Sequence, residues 1–234
     1  MFTASADLYD ILYSSFKDYA AESERITALL RSAHPACRTL LDVGCGTGEH
    51  VRLLAERGFQ VQGLDLDPGL LKLAAKKNPA CRFHHADMCA FEIEERFDAV
   101  LCLFSSIAYA RTLERVVQAL RCFRRHLAEG GIVVVEPWFT PDLIRPGHTT
   151  STTVDAPPRR IVRTSRLEVV GPISRLTFDY EVTGPEGTSH ATELHELGLF
   201  TTDEMKGAFA EAGLAVTYDP EGLTGRGWYV GRAA

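Results

Sequence analysis

Apolar residues recur along this chain with two periods, and the switches between them outline its elements. Over 4–34 the period is helical: Leu8, Ile11 and Leu12 share one face, and Tyr19, Ile26, Leu29 and Leu30 another. Ser14-Ser15 breaks the two helices and Pro35 closes the second. Residues 39–43 form a short apolar run of strand character. It enters a glycine-dense turn, Gly44-Cys45-Gly46-Thr47-Gly48, and then a helical pattern to Arg57 for which Thr47 is the expected cap. The alternation continues with a strand over 60–65 and a helix over 68–77 started by Asp67-Pro68. A strand over 81–86 and a strongly apolar strand over 97–103 follow. An amphipathic helix over 112–127 is expected to end at Gly130-Gly131, before a strand over 132–136. Strands alternating with helices in this way predict a parallel sheet covered on both faces.

The pattern changes at Phe139. Residues 140–158 carry Pro141, Pro146, Pro157 and Pro158 among threonines and glycines and are read as loop. Three extended segments follow, over 160–170, 173–182 and 190–200, separated by Gly171-Pro172 and Gly184-Pro185-Glu186-Gly187. Tight turns between extended segments predict antiparallel hairpins, here a small inserted sheet capping the substrate side. A helix starting at Thr201 or Thr202 runs to Gly213, and 214–218 with 228–231 close the main sheet as a hairpin. The division is therefore 1–140 for the N-terminal helices and cofactor-binding core, 141–200 for the β cap, and 201–234 for the closing helix and hairpin.

Composition narrows the function. With 234 residues, 45% of them apolar and 24% charged, the chain can bury a full core in water. A net charge of −6 argues against an electrostatic grip on nucleic acid. No apolar run approaches a membrane span, and the N-terminus lacks a basic start and a long apolar segment, so a cytoplasmic location is expected. The six cysteines form no C-x-x-C pair and read as buried thiols. The histidines have no partners at metal-ligand spacing, so no metal is expected.

The glycine turn is where chemistry enters. A strand-to-helix turn rich in glycine lets a ligand approach backbone N–H groups closely. Dinucleotide sites ask for a third glycine where this chain has Glu49, whose charge repels a pyrophosphate, so the turn suits a ligand without phosphates. Asp65 stands about 20 residues beyond the first glycine, where a carboxylate can hold both ribose hydroxyls. Together LDVGCGTGEH, GLDLD and HHADM resemble the class I S-adenosylmethionine (SAM) methyltransferases. The resemblance implies a Rossmann-like α/β fold and SAM as cofactor, held by Asp42, Gly44, Gly46, Gly48, Asp65, Leu66 and Phe104. It further implies that Asp87 meets the adenine amino group and the Met88 backbone N–H a ring nitrogen; a loop carboxylate in water is the other reading of Asp87. Tyr19 faces the cofactor if the N-terminal segment folds over it, and is a core aromatic otherwise.

No Ser/His/Asp or paired-carboxylate arrangement is legible, which disfavours hydrolysis. The segment after the fourth strand, Phe104-Ser105-Ser106-Ile107-Ala108-Tyr109, differs from the N-P-P-Y-like turn of methyltransferases acting on nucleic-acid bases. A closer resemblance runs through Lys17-Asp18-Tyr19, LFSSIAY, VVVEPWF and TGRGWYVG. These are similar to the N,N-dimethyltransferases of dTDP-linked 3-amino sugars in macrolide biosynthesis. It departs at Tyr13-Ser14-Ser15-Phe16, where the family tends to be glycine-rich, and in the inserted sheet. What it implies is a small-molecule acceptor, a nucleotide sugar, with Arg226 meeting the pyrophosphate and Arg163 and Arg175 as second choices; solvated arginines are the alternative. Tyr109 and His195 are the candidates for orienting the amine or taking its proton, a structural role being the alternative for His195. Trp138 and Phe139 are expected to wall the pocket. Methylation of another small metabolite, SAM binding without catalysis, and a NAD-dependent oxidoreductase opposed by Glu49 stay open. No nucleic-acid or membrane partner is expected, and a homodimer is compatible with all of this.

Overall fold

The computed structural model describes residues 6–233. Its main sheet has seven strands: β1 (Thr39–Val43), β2 (Gln60–Asp65), β3 (Arg82–His85), β4 (Phe97–Cys102), β5 (Leu127–Val135), β10 (Leu214–Asp219) and β11 (Trp228–Ala233). They lie in the order β10-β11-β5-β4-β1-β2-β3, parallel from β5 to β3, with the closing hairpin antiparallel at the other edge. Strand residues alternate between two cores, as a pleat requires. Leu41, Val43, Val100, Val133 and Val135 face α5 (Leu113–Arg125) and α6 (Thr202–Glu211). Leu40, Ala99, Leu101, Ile132 and Val134 face α2 (Tyr19–Ala33) and α3 (Glu49–Glu56). The remaining helix of this layer, α4 (Pro68–Lys77), contacts β2 and β3.

Helix starts follow their caps. The Asp18 carboxylate accepts the Ala21 N–H, Asp67 accepts those of Gly69 and Leu70 with Pro68 in the first turn, and Thr201 forms a capping box with Glu204. The expected Thr47 cap is not made. Gly48 occupies the cap position of α3 without a side-chain bond, and the Thr47 hydroxyl donates to Asp10 instead.

Two further expectations are corrected. The helix over 112–127 ends at Arg125, capped by His126, and Gly130-Gly131 lie inside β5. The pairing with β4 jumps from Phe97↔Leu127 to Ala99↔Ile132, so the extra residues of β5 form an irregularity, and the glycines serve that bend rather than a helix end. The supposed loop over 140–158 contains a strand, β6 (Thr149–Ala156), made from a β-branched threonine run that Pro146 and Pro157 flank without interrupting.

β6 is the edge of a second sheet with β7 (Arg159–Val170), β8 (Ile173–Gly184) and β9 (Gly187–Gly198), an antiparallel meander between β5 and α6. The first helix, α1 (Ala6–Ser14), packs on it: Leu8 and Leu12 share a core with Ile161, Phe178 and Tyr180. A cleft is left between the C-terminal ends of the parallel strands, α1 and this small sheet. Among the described residues no helix is long and apolar enough to cross a membrane.

Candidate active site

The chain runs outward from β1 through β2 to β3, then returns to β4 on the other side of β1. Such a switch point opens a crevice at the strand C-termini. Gly44 lies there at φ +76°, and a Cβ on it would come within 2.6 Å of the Ser106 Cβ, so only glycine lets the turn meet the 3-10 segment Ser106–Ala110. The facing turn is also held in an unusual conformation. Phe104 and Ser105 have φ of 49° and 63°, a region that costs non-glycine residues about 1–3 kcal/mol each. Buried hydrogen bonds fix them: the Phe104 N–H donates to Glu136 Oε2 at 2.7 Å and the Ser105 hydroxyl to the Pro137 carbonyl at 2.7 Å.

A cavity of about 650 Å³ extends from this turn to the small sheet. On its near side, Asp65 accepts the Gly46 N–H at 2.8 Å and the Asp67 N–H at 2.9 Å. Burial pushes its carboxyl up, and those two N–H groups oppose the shift. Leu66, half-exposed, and Met88 form apolar wall. Asp87 also lines the cavity, with its carboxylate engaged by the Cys89 N–H at 2.9 Å and Arg115 at 2.8 Å. Burial works to raise this carboxyl, but the two partners outweigh it and hold it below the usual range.

Beneath the glycine turn is a smaller pocket lined by Tyr19, Lys17, Asp42, Glu49 and His50. Asp42 is buried, and loss of water pushes its carboxyl up to about 6 against the pull of His50 and Lys17. Glu22 accepts from both Lys17 and His50, the latter at 2.9 Å. Tyr19 therefore stands at this pocket rather than on the wall of the main cavity.

The far side of the main cavity gathers Tyr109, Trp138, Arg163, His195 and Arg226. Arg163, 8% exposed, sits among aromatic rings, its guanidinium carbon 4.9 Å from the Phe178 centroid and 5.4 Å from that of Tyr13. Among the described residues its Nε and Nη1 have no hydrogen-bond partner. Arg226 also has an Nε with no hydrogen-bond partner among the described residues, but its Nη2 donates to Glu136 Oε1 at 3.0 Å beside a 2.7 Å bond from Thr224. The Tyr109 hydroxyl lies 2.9 Å from His195 Nδ1.

Two expected pocket residues lie elsewhere. Arg175 pairs with Glu196 at 2.9 Å across β8 and β9, because Leu176 and Phe178 take the cavity-facing positions and the pleat turns Arg175 to the opposite face. Phe139 packs behind Trp138, ring centroids 4.8 Å apart, and does not line the cavity. Tyr9, Tyr13 and Arg115 line it without having been singled out for it. The alternation of β8 was signal enough to find Leu176 and Phe178. Nothing local marked Arg115, which reaches the site from α5.

A family model described as a methyltransferase domain matches residues 40–131. The dTDP-3-amino-3,6-dideoxy-alpha-D-glucopyranose N,N-dimethyltransferase of Streptomyces fradiae is 40% identical over 228 residues, 97% of this chain and 89% of that protein. The chain belongs to the sugar N,N-dimethyltransferase family. Its fold is that of DesVI from Streptomyces venezuelae, with a TM-score of 0.93, 38% identity and 98% of both chains covered. The SAM-bound amino pentose methyltransferase of calicheamicin biosynthesis from Micromonospora echinaspora matches with a TM-score of 0.88, 34% identity and 97% of each chain. This protein is a SAM-dependent methyltransferase with a Rossmann-like core and an added antiparallel sheet.

The methyltransferase's crevice fits that cofactor. Asp42 and Asp65 flank the glycine turn, a charge that favours a sulfonium and repels phosphate, while Glu49 beside it is paired with Arg52 and Lys77. The anchored Asp65 carboxylate has acceptor sites left for a diol. Among the described residues, no group of three or more His, Cys, Asp or Glu could hold a metal ion.

Proposed function

We propose that this methyltransferase methylates the amino group of a nucleotide-linked (dTDP) amino sugar. When bound, SAM supplies a methyl group already activated on a positive sulfur, so the protein's task is to align a nitrogen lone pair, exclude water and manage one proton. Orientation of that kind supplies about 7–11 kcal/mol in favourable cases. In this reading Gly44, Gly46, Gly48 and Phe104 shape the cofactor cradle and Asp65 takes the ribose. Leu66, Asp87 and Met88 bound the adenine end, and Asp42 with Tyr19 the amino-acid end. Trp138 walls the acceptor, and Tyr109 with His195 stands where the amine arrives. The six cysteines, all free, support a reducing cytoplasmic setting.

The observation that carries the acceptor class is Arg163: a cation removed from water, facing the cavity, with two donors uncommitted. Such a group calls for an anion, and a pyrophosphate is the anion of a nucleotide sugar. Arg226 is the weaker choice because Glu136 already neutralises it. The S. fradiae relative acts on a dTDP-linked amino sugar, which agrees. The test is turnover of SAM with a panel of dTDP-amino sugars and free amines, on the wild type and on Arg163→Ala. The variant is expected to raise the acceptor KM by roughly ten- to hundredfold and to leave SAM affinity unchanged. Equal turnover of a free amine by both proteins would discard the nucleotide.

A further inference from the structure

We propose that Tyr109, His195 and Glu193 form a proton relay that strips the acceptor ammonium before methyl transfer, with Glu193 as the positioning residue that sets the state of His195. The proposal rests on the amine-acceptor reading above and adds the residue behind Tyr109 and His195.

The contacts around His195 give the relay its direction. His195 is 1% exposed, with Nδ1 2.9 Å from the Tyr109 hydroxyl and Nε2 3.5 Å from Glu193 Oε2. A carboxylate only accepts, so with Glu193 ionised the relay has the ring's hydrogen on Nε2, facing Glu193 across the 3.5 Å ion-pair contact, and Nδ1 bare. Tyr109 must then be the donor in its bond to Nδ1, which turns the hydroxyl's lone pairs toward the cavity that its ring lines. Glu193 is itself buried, 5% exposed, and held by the Tyr180 hydroxyl at 3.2 Å. The Phe178 ring, 5.0 Å from the imidazole, completes the packing. Tyr180, Glu193 and His195 lie on one face of the small sheet by register, whereas Tyr109 comes from the segment after β4 of the main sheet. The chain of donors therefore spans both sheets.

A relay spares Tyr109 from acting as a phenolate. Its ring is 37% exposed to the cleft, but its hydroxyl end is desolvated, which drives the group well above the usual range, and Tyr13, Asp65, Glu193 and Tyr180 around it push the same way. One ammonium N–H proton passes to the Tyr109 oxygen as Tyr109's own proton passes to His195 Nδ1, leaving a neutral amine, a neutral tyrosine and an imidazolium beside Glu193. The freed lone pair then forms the N–C bond while the C–S bond breaks and its electron pair stays on sulfur.

Two measurements test this. In ligand-free protein, ¹⁵N NMR of the imidazole is expected to show Nε2 protonated and Nδ1 bare. A ring protonated on Nδ1 overturns the relay whatever the substrate proves to be. In single turnover with a dTDP-amino sugar, Glu193→Gln is expected to lower the plateau rate at least tenfold and to move its acid limb to lower pH. The acceptor KM should stay within about threefold. Tyr109→Phe should lose roughly 10²–10⁴-fold at neutral pH and recover as pH rises and the amine arrives unprotonated. A deficit in Tyr109→Phe that is the same at every pH overturns the proposal, and settles the matter even where the Glu193 variant fails to fold. Wild-type inactivity toward every dTDP-amino sugar, with the NMR pattern as expected, would instead discard the acceptor assignment alone.

Discussion

Asp42 shows how a single side chain at the site links folding to pH. Its carboxyl ionises near 3.8 in the unfolded chain and is raised to about 6 in the fold by burial. Between those values the folded protein holds a proton that the unfolded chain has released. Ligand-free stability should therefore fall as pH rises from about 4 to 6, by about 2–3 kcal/mol. Asp42→Asn, a neutral isostere, is expected to remove most of that slope, read as denaturation midpoints across the window. An unchanged slope in the variant would mean that other groups set it. This perturbation was not legible in the sequence, which marks Asp42 as the last polar residue of an apolar strand but not the depth at which it lies. Asp65 was better marked, because its spacing from the glycines is set by one helix and two strand ends. The arginines were the least legible. Arg163 and Arg175 lie on neighbouring strands of equal polarity, and the register between β7 and β8 sends one into the cavity and the other to an ion pair with Glu196.

At the scale of elements, the parallel core could be read nearly strand by strand, since a β-strand packed on both faces leaves an apolar run that a helix does not. The misreadings fell where turn residues sit inside strands. Gly130-Gly131 serve an irregular pairing, and the polar edge strand β6 carries no apolar stripe to announce it. The role of α1 was half visible: its apolar face was clear, but not that the face meets the inserted sheet rather than the main one. Leu12, 1% exposed in that contact, is the place to test it. Leu12→Ala should weaken the docking of α1 by about 2–5 kcal/mol. Amide exchange in α1 should then accelerate while β1, β4 and β5 keep their protection. Uniform loss of protection in both sheets would show instead that the two unfold as one unit.

For the whole molecule, the cleft has walls from three separately built parts: the strand ends, α1 and the small sheet. A ligand filling it ties them together. S-adenosylhomocysteine at a hundredfold excess over its Kd should raise folding stability by about 2.7 kcal/mol, seen as a higher Tm with slower exchange in α1 and in the Phe104 turn. NADH at the same concentration should produce no shift, because carboxylates surround the glycine turn where its pyrophosphate would lie. A larger shift with NADH would reopen the dinucleotide reading that Glu49 opposes.

The ring-walled setting of Arg163 has a consequence for how the enzyme behaves in different media. Surface charges attract ligands through a dielectric that dissolved ions dampen, with a range of about 10 Å at 0.1 M salt. A guanidinium packed among Tyr13, Phe16 and Phe178 is largely shielded from that atmosphere. Binding of the proposed nucleotide-sugar acceptor should therefore change less than about threefold between 0.05 and 0.5 M sodium chloride, far less than that of a surface-captured anion would. The enzyme would keep its grip on the acceptor in cells whose internal ionic strength swings widely.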